Sequence, residues 1–301
     1  MEFKTIGFIG VGAMGSGMAK NLAKHGFNVV AYDVDPTKVE ALSSAGIRGA
    51  HDIAGVVRVS DAVFTSLPSV AAIEEVMGGE KGVLANIKEG SYILDMSTID
   101  PGTTRRLAQQ AGQKGTRFCD CPVSGGPTGA ANGTLTTMVG ASDEDFATIK
   151  PLLACFATNI IHVGGVGTGQ VVKIVNNILA AIHTVALGEA LLTGTQAGVK
   201  LEILAEVISK SSGRSFIIDY FAPNSILKGN YDHPLFQLKL MHKDVSLYMK
   251  MAQEYHIPSL LAAATKELYS AALYQGWDNK DHTAVCQVLE NMAHKRIVEP
   301  A

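Results

Sequence analysis

A lysine and an asparagine stand four residues apart in the longest apolar stretch of this 301-residue chain. On a helix, Lys173 and Asn177 project from the same face, and the small residues Ala180 and Thr184 continue that face. An ammonium group can donate a proton to a carbonyl oxygen, and its neutral form can accept a hydroxyl proton. The pair therefore indicates proton transfer at an alcohol or carbonyl. The other interpretation is a lysine that snorkels to solvent from an apolar surface.

A glycine-rich turn near the N-terminus has the pattern G-x-G-x-x-G, with glycines at positions 10, 12 and 15. Gly10 permits a tight turn, Gly12 lets the backbone approach a pyrophosphate, and Gly15 lets the following helix pack close to the preceding strand. The unbonded N–H groups at a helix N-terminus attract phosphates. The pattern predicts a dinucleotide-binding turn, although a plain turn between strand and helix is the alternative.

Asp33 ends the next apolar run, 18 residues after Gly15, where a ribose-binding carboxylate belongs. A carboxylate accepts hydrogen bonds from both ribose hydroxyls and repels a 2′-phosphate. Val34 follows, and no basic residue occurs before Lys38. We therefore expect NAD to be preferred. NADP stays possible, since Lys38 or Arg48 could approach the site.

Composition excludes several classes of protein. Apolar residues make up 47% and charged residues 18%, which is typical of a globular protein. The net charge is −3 and there is no basic run, so we expect neither nucleic acid nor a membrane as partner. The four cysteines and nine histidines show no metal-ligand spacing, so we predict buried thiols and no metal. No segment resembles a signal peptide, which predicts a cytoplasmic protein.

The elements that must position these residues change character along the chain. In the first part, short apolar runs alternate with helical segments, as in a parallel sheet covered on both faces. After the glycine-rich segment 164–169, one long helical pattern is followed by further helices alone. We predict an α/β Rossmann-type N-terminal domain with a parallel-rich sheet (1–165), then an all-α C-terminal domain (166–301). The predicted C-terminal helices are 170–196, 201–209, 216–227, 235–254, 260–275 and 282–294.

Five segments, in this order and over nearly the whole chain, resemble the 3-hydroxyisobutyrate dehydrogenase (β-hydroxyacid dehydrogenase) family. They are GFIGVGAMGSGMAKNL (7–22), DMST (95–98), PVSGG (122–126), GQVVKIVNN (169–177) and KD (243–244). The resemblance implies reversible hydride transfer between a nicotinamide cofactor and a small 3-hydroxy acid, with its semialdehyde as product.

The resemblance also implies a role for each matching residue. Lys173 would be the catalytic residue. The substrate would be held by Ser124, Gly125, Gly126 and Asn177. The cofactor would be held by Gly10, Gly12, Ala13, Met14, Gly15, Asp33, Leu67, Pro68, Thr98 and Lys243. A hydroxyl beside two glycine N–H groups suits a carboxylate, although a plain turn after Pro122 is the other interpretation of that triplet.

Related activities leave alternatives open. The 2-(hydroxymethyl)glutarate dehydrogenase and tartronate semialdehyde reductase branches carry the same features. A sugar-acid decarboxylase of the 6-phosphogluconate type is disfavoured, because Asn176 stands where that family has histidine. Gly-Arg in place of Ser124-Gly125 would indicate a sulfonate substrate. An imine reductase commonly replaces the lysine, and a non-catalytic NAD-binding module is expected to have lost it; this chain keeps it.

Arg214 stands in a short polar segment, Ser-Ser-Gly-Arg-Ser, between two predicted helices. Since the triplet at 124–126 has no arginine, Arg214 could bind a second substrate carboxylate through two hydrogen bonds. A surface ion pair beside a helix end is the other interpretation. The apolar faces of the helical part further predict a homo-oligomer, because such faces need partners.

Overall fold

The computed structural model describes residues 3–298. The chain divides into two compact units, Met1–Lys173 and Ile174–Ala301. The first is an α/β unit and the second is helical.

One mixed sheet forms the centre of the first unit, with the order β3-β2-β1-β4-β5-β6-β8-β7 and with β9 beside β8. Its six strands from β3 to β6 in that order are all parallel, whereas β8 runs antiparallel to both β6 and β7. The predicted parallel-rich Rossmann-type sheet is confirmed. The strands are β1 (Thr5–Ile9), β2 (Asn28–Tyr32), β3 (Arg48–Gly49), β4 (Ala62–Thr65), β5 (Tyr92–Asp95), β6 (Arg117–Asp120), β7 (Val123–Ser124), β8 (Leu135–Gly140) and β9 (Ala157–Gly164).

Consecutive residues of the central strands are buried on opposite faces of the sheet. Phe8 and Phe64 belong to one apolar cluster, whereas their neighbours Ile9 and Val63 belong to another. Each face is therefore covered, which explains why the parallel strands are apolar throughout rather than alternating. The helices of this unit are α1 (Gly15–Lys24), α2 (Pro36–Glu40), α3 (Ile53–Val57), α4 (Val70–Met77), α5 (Val83–Asn86), α6 (Pro101–Gly112), α7 (Gly126–Asn132) and α8 (Asp143–Leu153).

A 29-residue helix, α9 (Thr168–Gln196), begins in the first unit and continues into the second. The other helices of the second unit are α10 (Leu201–Lys210), α11 (Leu238–Glu254), α12 (Leu260–Tyr274) and α13 (Cys286–Ala293). The prediction of one helix over 216–227 is wrong. A π-helical turn (Ile217–Phe221) and two 3-10 turns stand there, because Pro223 lacks the N–H that an α-helix needs.

By length and composition, α9 is apolar enough to cross a membrane. Half of its most apolar 18-residue window is buried inside the protein, and the core helix of a globular protein passes the same test. The four cysteines are buried free thiols, as predicted.

Candidate functional site

The carboxyl ends of five strands meet in one row across the sheet. Ile9 of β1 is paired with Tyr32 of β2 and Thr65 of β4, Thr65 with Asp95 of β5, and Asp95 with Asp120 of β6. The residues that follow each strand therefore lie along the same edge. This edge of a parallel sheet is where doubly wound folds bind their ligands.

The glycine turn opens this edge toward solvent. Gly10 has a positive φ of 89°, and a Cβ there would lie 2.4 Å from the Ser66 carbonyl oxygen, so only glycine fits. Apart from its immediate chain neighbours, no residue lies within 4 Å of the position that a Cβ of Gly12 would take. Ala13 is exposed and Met14 half-buried. This open turn at the start of α1, which has no side chain at Gly10 or Gly12, fits a pyrophosphate, and α1 has no acidic residue in its first turn to oppose it.

Gly15, at the end of the turn, packs directly against Gly10 at its start. A Cβ at this position would lie 2.0 Å from the carbonyl oxygen of Gly10. The start of α1 therefore packs on the end of β1 at a distance that no other residue type allows.

Asp33 lies directly after β2 and faces the glycine turn. Its Oδ2 accepts a hydrogen bond from the Val11 N–H (2.9 Å), and its Oδ1 accepts one from the Asp35 N–H (3.0 Å). Lys38 Nζ stands 3.4 Å from Oδ1. The carboxylate is thus held beside the turn, where Oδ2 has a further lone pair with which to accept a ribose hydroxyl. These residues fit an NAD(P) dinucleotide.

Leu67, Pro68 and Thr98 follow β4 and β5 at the same edge. The Leu67 N–H donates to Ser97 Oγ (2.9 Å), so the two segments are tied together. The Ser97 N–H in turn donates to Asp95 Oδ1 (3.0 Å). Thr98 is half-buried, whereas the residues on both sides of it are buried. It is therefore the residue that this segment presents toward the open edge.

Ser124, Gly125 and Gly126 form the turn between β7 and α7. Ser124 is half-buried at the end of β7, opposite Thr136 of β8. Gly125 has a φ of 130° and Gly126 a φ of 66°, which other residues rarely adopt. The backbone is bent so that successive peptide N–H groups follow the Ser124 hydroxyl, an arrangement suited to an anionic group.

A buried carboxylate holds the beginning of α9, the helix that carries Lys173. Asp120 Oδ1 accepts a hydrogen bond from the Gly167 N–H (2.6 Å), and Oδ2 accepts one from the Gln170 N–H (2.9 Å). Burial raises the pKa of Asp120 to about 6, partly offset by these two backbone hydrogen bonds. Lys173 lies within the first two turns of the helix and is only 8% exposed.

In the second unit, Asn177 is held by a buried acid on another helix. Its Nδ2 donates to Asp244 Oδ2 of α11 at 2.6 Å, while Asp244 Oδ1 is paired with Lys243 Nζ at 2.9 Å. Asn176 Nδ2 donates to Asn177 Oδ1 (3.1 Å). Asp244 thus joins two residues that the family resemblance singled out, Asn177 and Lys243.

Arg214 is paired with an acid of the segment that follows it. Its Nε donates to Asp219 Oδ2 at 2.6 Å, and its side chain is 67% exposed. The ion pair that the sequence offered as one interpretation is therefore present. A role for Arg214 toward a substrate stays a prediction.

Three residues of this arrangement were not predicted from the sequence: Asp120, Gln170 and Asp244. The available signal for Asp120 was an acid between two cysteines in a run expected to be buried. Gln170 and Asp244 stand inside segments that carry the family resemblance, but neither residue type is distinctive there. Among residues 3–298, no group of three or more metal-ligating side chains is placed to hold a metal ion.

Both parts of the chain match families of nicotinamide-dependent enzymes. Residues 5–164 match the family described as the NAD binding domain of 6-phosphogluconate dehydrogenase. Residues 167–289 match the family described as NAD-binding of NADP-dependent 3-hydroxyisobutyrate dehydrogenase.

Whole proteins are similar over nearly their full lengths. The chain is 40% identical to 2-(hydroxymethyl)glutarate dehydrogenase of Eubacterium barkeri over 287 residues, 95% of each protein. It is 38% identical to mitochondrial 3-hydroxyisobutyrate dehydrogenase of Mus musculus over 295 residues, 96% of this chain and 88% of that protein. A structure of Mycobacterium tuberculosis 3-hydroxyisobutyrate dehydrogenase with L-serine matches with a TM-score of 0.87 and 29% identity, covering 96% of this chain and 99% of that one. The chain therefore belongs to the 3-hydroxyisobutyrate dehydrogenase (β-hydroxyacid dehydrogenase) family of NAD(P)-dependent oxidoreductases.

Proposed function

We propose that this enzyme reversibly oxidises a small 3-hydroxy carboxylic acid to its semialdehyde, with Lys173 as the general acid–base and NAD as the preferred cofactor. The observation that carries the proposal is the burial of Lys173 and Asn177, one helical turn apart on α9, at 8% and 6% exposure. Because residues four apart on a helix project from the same face, the amine and the amide can both approach one substrate oxygen.

Bound NAD(P) supplies the hydride acceptor for oxidation and the donor for reduction. In oxidation, the neutral amine of Lys173 accepts the proton of the substrate hydroxyl. In reduction, its ammonium form returns that proton to the carbonyl oxygen and stabilises the charge that develops there. Proton transfer of this kind contributes about 10²–10⁴-fold to the rate.

The neighbouring polar groups orient the substrate. The Asn177 amide has two N–H groups, of which Asp244 accepts one, so the other is suited to donate to the substrate oxygen. The Ser124 hydroxyl and the N–H groups of Gly125 and Gly126 bind the substrate carboxylate. Holding the acid group and the reacting carbon separately fixes which hydroxyl is oxidised.

Cofactor preference follows from Asp33. The carboxylate is held by two backbone N–H groups, so it cannot move away from a ribose 2′-phosphate without losing them. A phosphate there would face an unmovable negative charge, which favours NAD. Lys38 lies against Asp33 and partly neutralises it, so NADP is bound less well rather than excluded.

A dicarboxylic 3-hydroxy acid is the second candidate substrate. It is favoured by the 40% identity to 2-(hydroxymethyl)glutarate dehydrogenase and by the exposed guanidinium of Arg214. If Arg214 binds a second carboxylate, Arg214→Leu raises KM for 2-(hydroxymethyl)glutarate about 10-fold or more and leaves KM for 3-hydroxyisobutyrate nearly unchanged. If the Asp219 ion pair is its role, neither KM changes and only thermal stability falls.

The test of the activity is a substrate panel assayed with both NAD and NADP. It contains 3-hydroxyisobutyrate, 2-(hydroxymethyl)glutarate, L-serine and D-glycerate, the reduced form of tartronate semialdehyde. We expect at least one 3-hydroxy acid to be oxidised, with higher kcat/KM for NAD. Binding of NAD without oxidation of any of them would instead indicate the non-catalytic module.

Three further assignments belong to the same proposal. The first domain (1–165) binds the cofactor. The second domain (166–301) supplies residues that bind the substrate and the surface through which subunits contact each other. Ile203 and Val207 are 50% and 56% exposed, one turn apart on α10, a helix with no buried residue. We assign this face to a second copy of the chain, so light scattering should give a dimer or a larger oligomer.

Four reduced thiols suit the cytoplasm, and fractionation of cells producing the protein tests that location.

A further inference from the structure

The side chain of Gln170 brackets the backbone of Thr98. Its Nε2 donates to the carbonyl oxygen of Ser97 (2.8 Å), and its Oε1 accepts from the N–H of Ile99 (3.1 Å). These two groups stand immediately before and after Thr98, so a single amide fixes the path of the chain on both sides of it. Gln170 is fully buried, so both hydrogen bonds are shielded from water.

The backbone of Gln170 is itself anchored. Its N–H donates to the buried carboxylate of Asp120. The residue before it is equally constrained, because a Cβ on Gly169 would lie 2.5 Å from the Met138 carbonyl oxygen and 2.8 Å from Asp120 Oδ2. The clamp on Thr98 is therefore built on a point of α9 that cannot shift relative to β6 and β8.

We propose that Gln170 is a positioning residue for the reaction, holding the Thr98 segment in register with Lys173. Gln170 and Lys173 are three residues apart on α9, so the same rigid turn carries the clamp and the acid–base group. The inference rests on the proposed function, in which Lys173 moves the proton, and on the role toward the cofactor that the family resemblance implies for Thr98. Gln170 touches neither reacting atom.

The chemistry gives such a clamp a purpose. Hydride transfer and proton transfer occur on the same substrate, and a displacement of about 1 Å between the groups that hold its partners costs about 10²-fold in rate. Thr98 comes from the end of a strand and Lys173 from a helix, 75 residues later. A direct tie through Gln170 fixes the distance between the two segments.

Gln170→Met keeps the length of the side chain and removes both hydrogen bonds. We expect kcat to fall about 10²-fold, while KM for the substrate and Kd for NAD stay nearly unchanged. In the cofactor-free protein, the Ile99 amide should exchange its hydrogen faster, because its acceptor is gone. The matched control is Asn86→Leu, since the Asn86 amide also clamps backbone, at Glu80 and Gly82. That control should lower Tm and leave kcat unchanged.

Gln170→Glu tests the same point in a second way. When protonated, the introduced carboxyl has the donor and the acceptor that the clamp needs. When ionised, it faces the Ser97 carbonyl with a second acceptor. The buried carboxylates of Asp95 and Asp120 oppose its ionisation. In the reduction direction, the activity of this variant relative to wild type should therefore rise as the pH is lowered.

The outcomes distinguish a failure of the proposed function from a failure of the positioning role of Gln170. A wild-type enzyme that oxidises no 3-hydroxy acid contradicts the proposed function. An active wild type overturns the positioning role of Gln170 if Gln170→Met lowers Tm but keeps its kcat, as the Asn86 control does. An impaired Gln170→Glu variant whose activity relative to wild type does not depend on pH overturns it as well.

Discussion

The two units hold their site carboxylates in different ways. In the first unit, Asp33 and Asp120 accept hydrogen bonds from backbone N–H groups, and Gly140 and Gly169 pack closely against Asp120. In the second, Asp244 is bonded to two side chains, those of Asn177 and Lys243. In the first unit the carboxylates are fixed by the backbone, whereas in the second the carboxylate links two side chains to each other.

In the proposed function, Asp33 faces the dinucleotide and Asn177 faces the substrate, and the difference suits these two ligands. A dinucleotide offers phosphates and ribose hydroxyls, which backbone N–H groups and one carboxylate recognise well. A small acid has few atoms, so the residues that orient it must be placed individually. Substitutions around Asp33 should therefore change which cofactor binds, whereas those around Asp244 should change the rate and leave the fold intact.

The largest effect is expected at Lys173, where the first unit ends. Lys173→Ala should lower kcat about 10²–10⁴-fold with little change in NAD affinity, because the amine acts on the substrate oxygen. Steady-state kinetics and calorimetric titration of NAD measure the two quantities. Lys173→Arg keeps the charge but cannot take up the hydroxyl proton, so oxidation should be lost there too. More than about a tenth of the kcat retained in Lys173→Ala would contradict the assignment.

Asp244→Ala tests the side-chain arrangement of the second unit. It removes the acceptor of Asn177 and the counter-charge of Lys243, so kcat/KM should fall about 10–10²-fold. Asp232→Asn is the matched control, since Asp232 forms an exposed pair with Lys280 in the same unit. The control should keep full activity. Equal kinetics in the two variants would mean that Asp244 has no part in the site.

Cofactor preference tests the backbone-held acid. Asp33→Ser with Val34→Arg removes the repulsion and adds a phosphate partner, so the kcat/KM ratio of NADP to NAD should rise about 10-fold or more. Val34 is largely exposed, so arginine is tolerated there. Val34→Arg alone should give a smaller rise. A wild-type enzyme that already prefers NADP would show that Asp33 does not set the cofactor preference.

The smallest expected effect is on stability, whose dependence on pH should have opposite signs in the two units. Burial lowers the pKa of His282, in the second unit, to about 4. Its contribution to stability is therefore present above pH about 6.5 and lost as the pH falls toward 4. Burial raises the pKa of Asp120 to about 6, so acidification over the same range relieves a cost in the first unit.

Trp277, the one tryptophan, reports on the second unit. As the pH drops from 7 to 5, the unfolding midpoint measured by tryptophan fluorescence should fall about 2–4 °C for each kcal/mol of stability lost. Burial also raises the pKa of Glu290 nearby, which works in the opposite direction. The comparison is therefore with His282→Gln, in which the slope should be flatter. Identical slopes in both proteins would contradict the role of His282.

Much of the fold and part of the site could be predicted because their signals are local. The turn at Gly10–Gly15 and the acid after β2 lie within 24 residues, and turn chemistry acts at that range. Lys173 and Asn177 share a helical face through the period of the helix alone. Strand β9 was missed, since its burial follows no regular alternation, and nothing local indicates that β8 runs antiparallel.

By itself, the sequence determined most of the order of strands and helices, the dinucleotide turn with Asp33, and the helix that carries Lys173. Only the tertiary structure decided which buried polar groups meet. Asp120 reaches the start of α9 across 47 residues, Gln170 reaches the Thr98 segment across 71, and Asp244 reaches Asn177 across 67. A buried donor must find an acceptor somewhere, but a single sequence does not say where along the chain it stands, because that depends on how strands and helices pack.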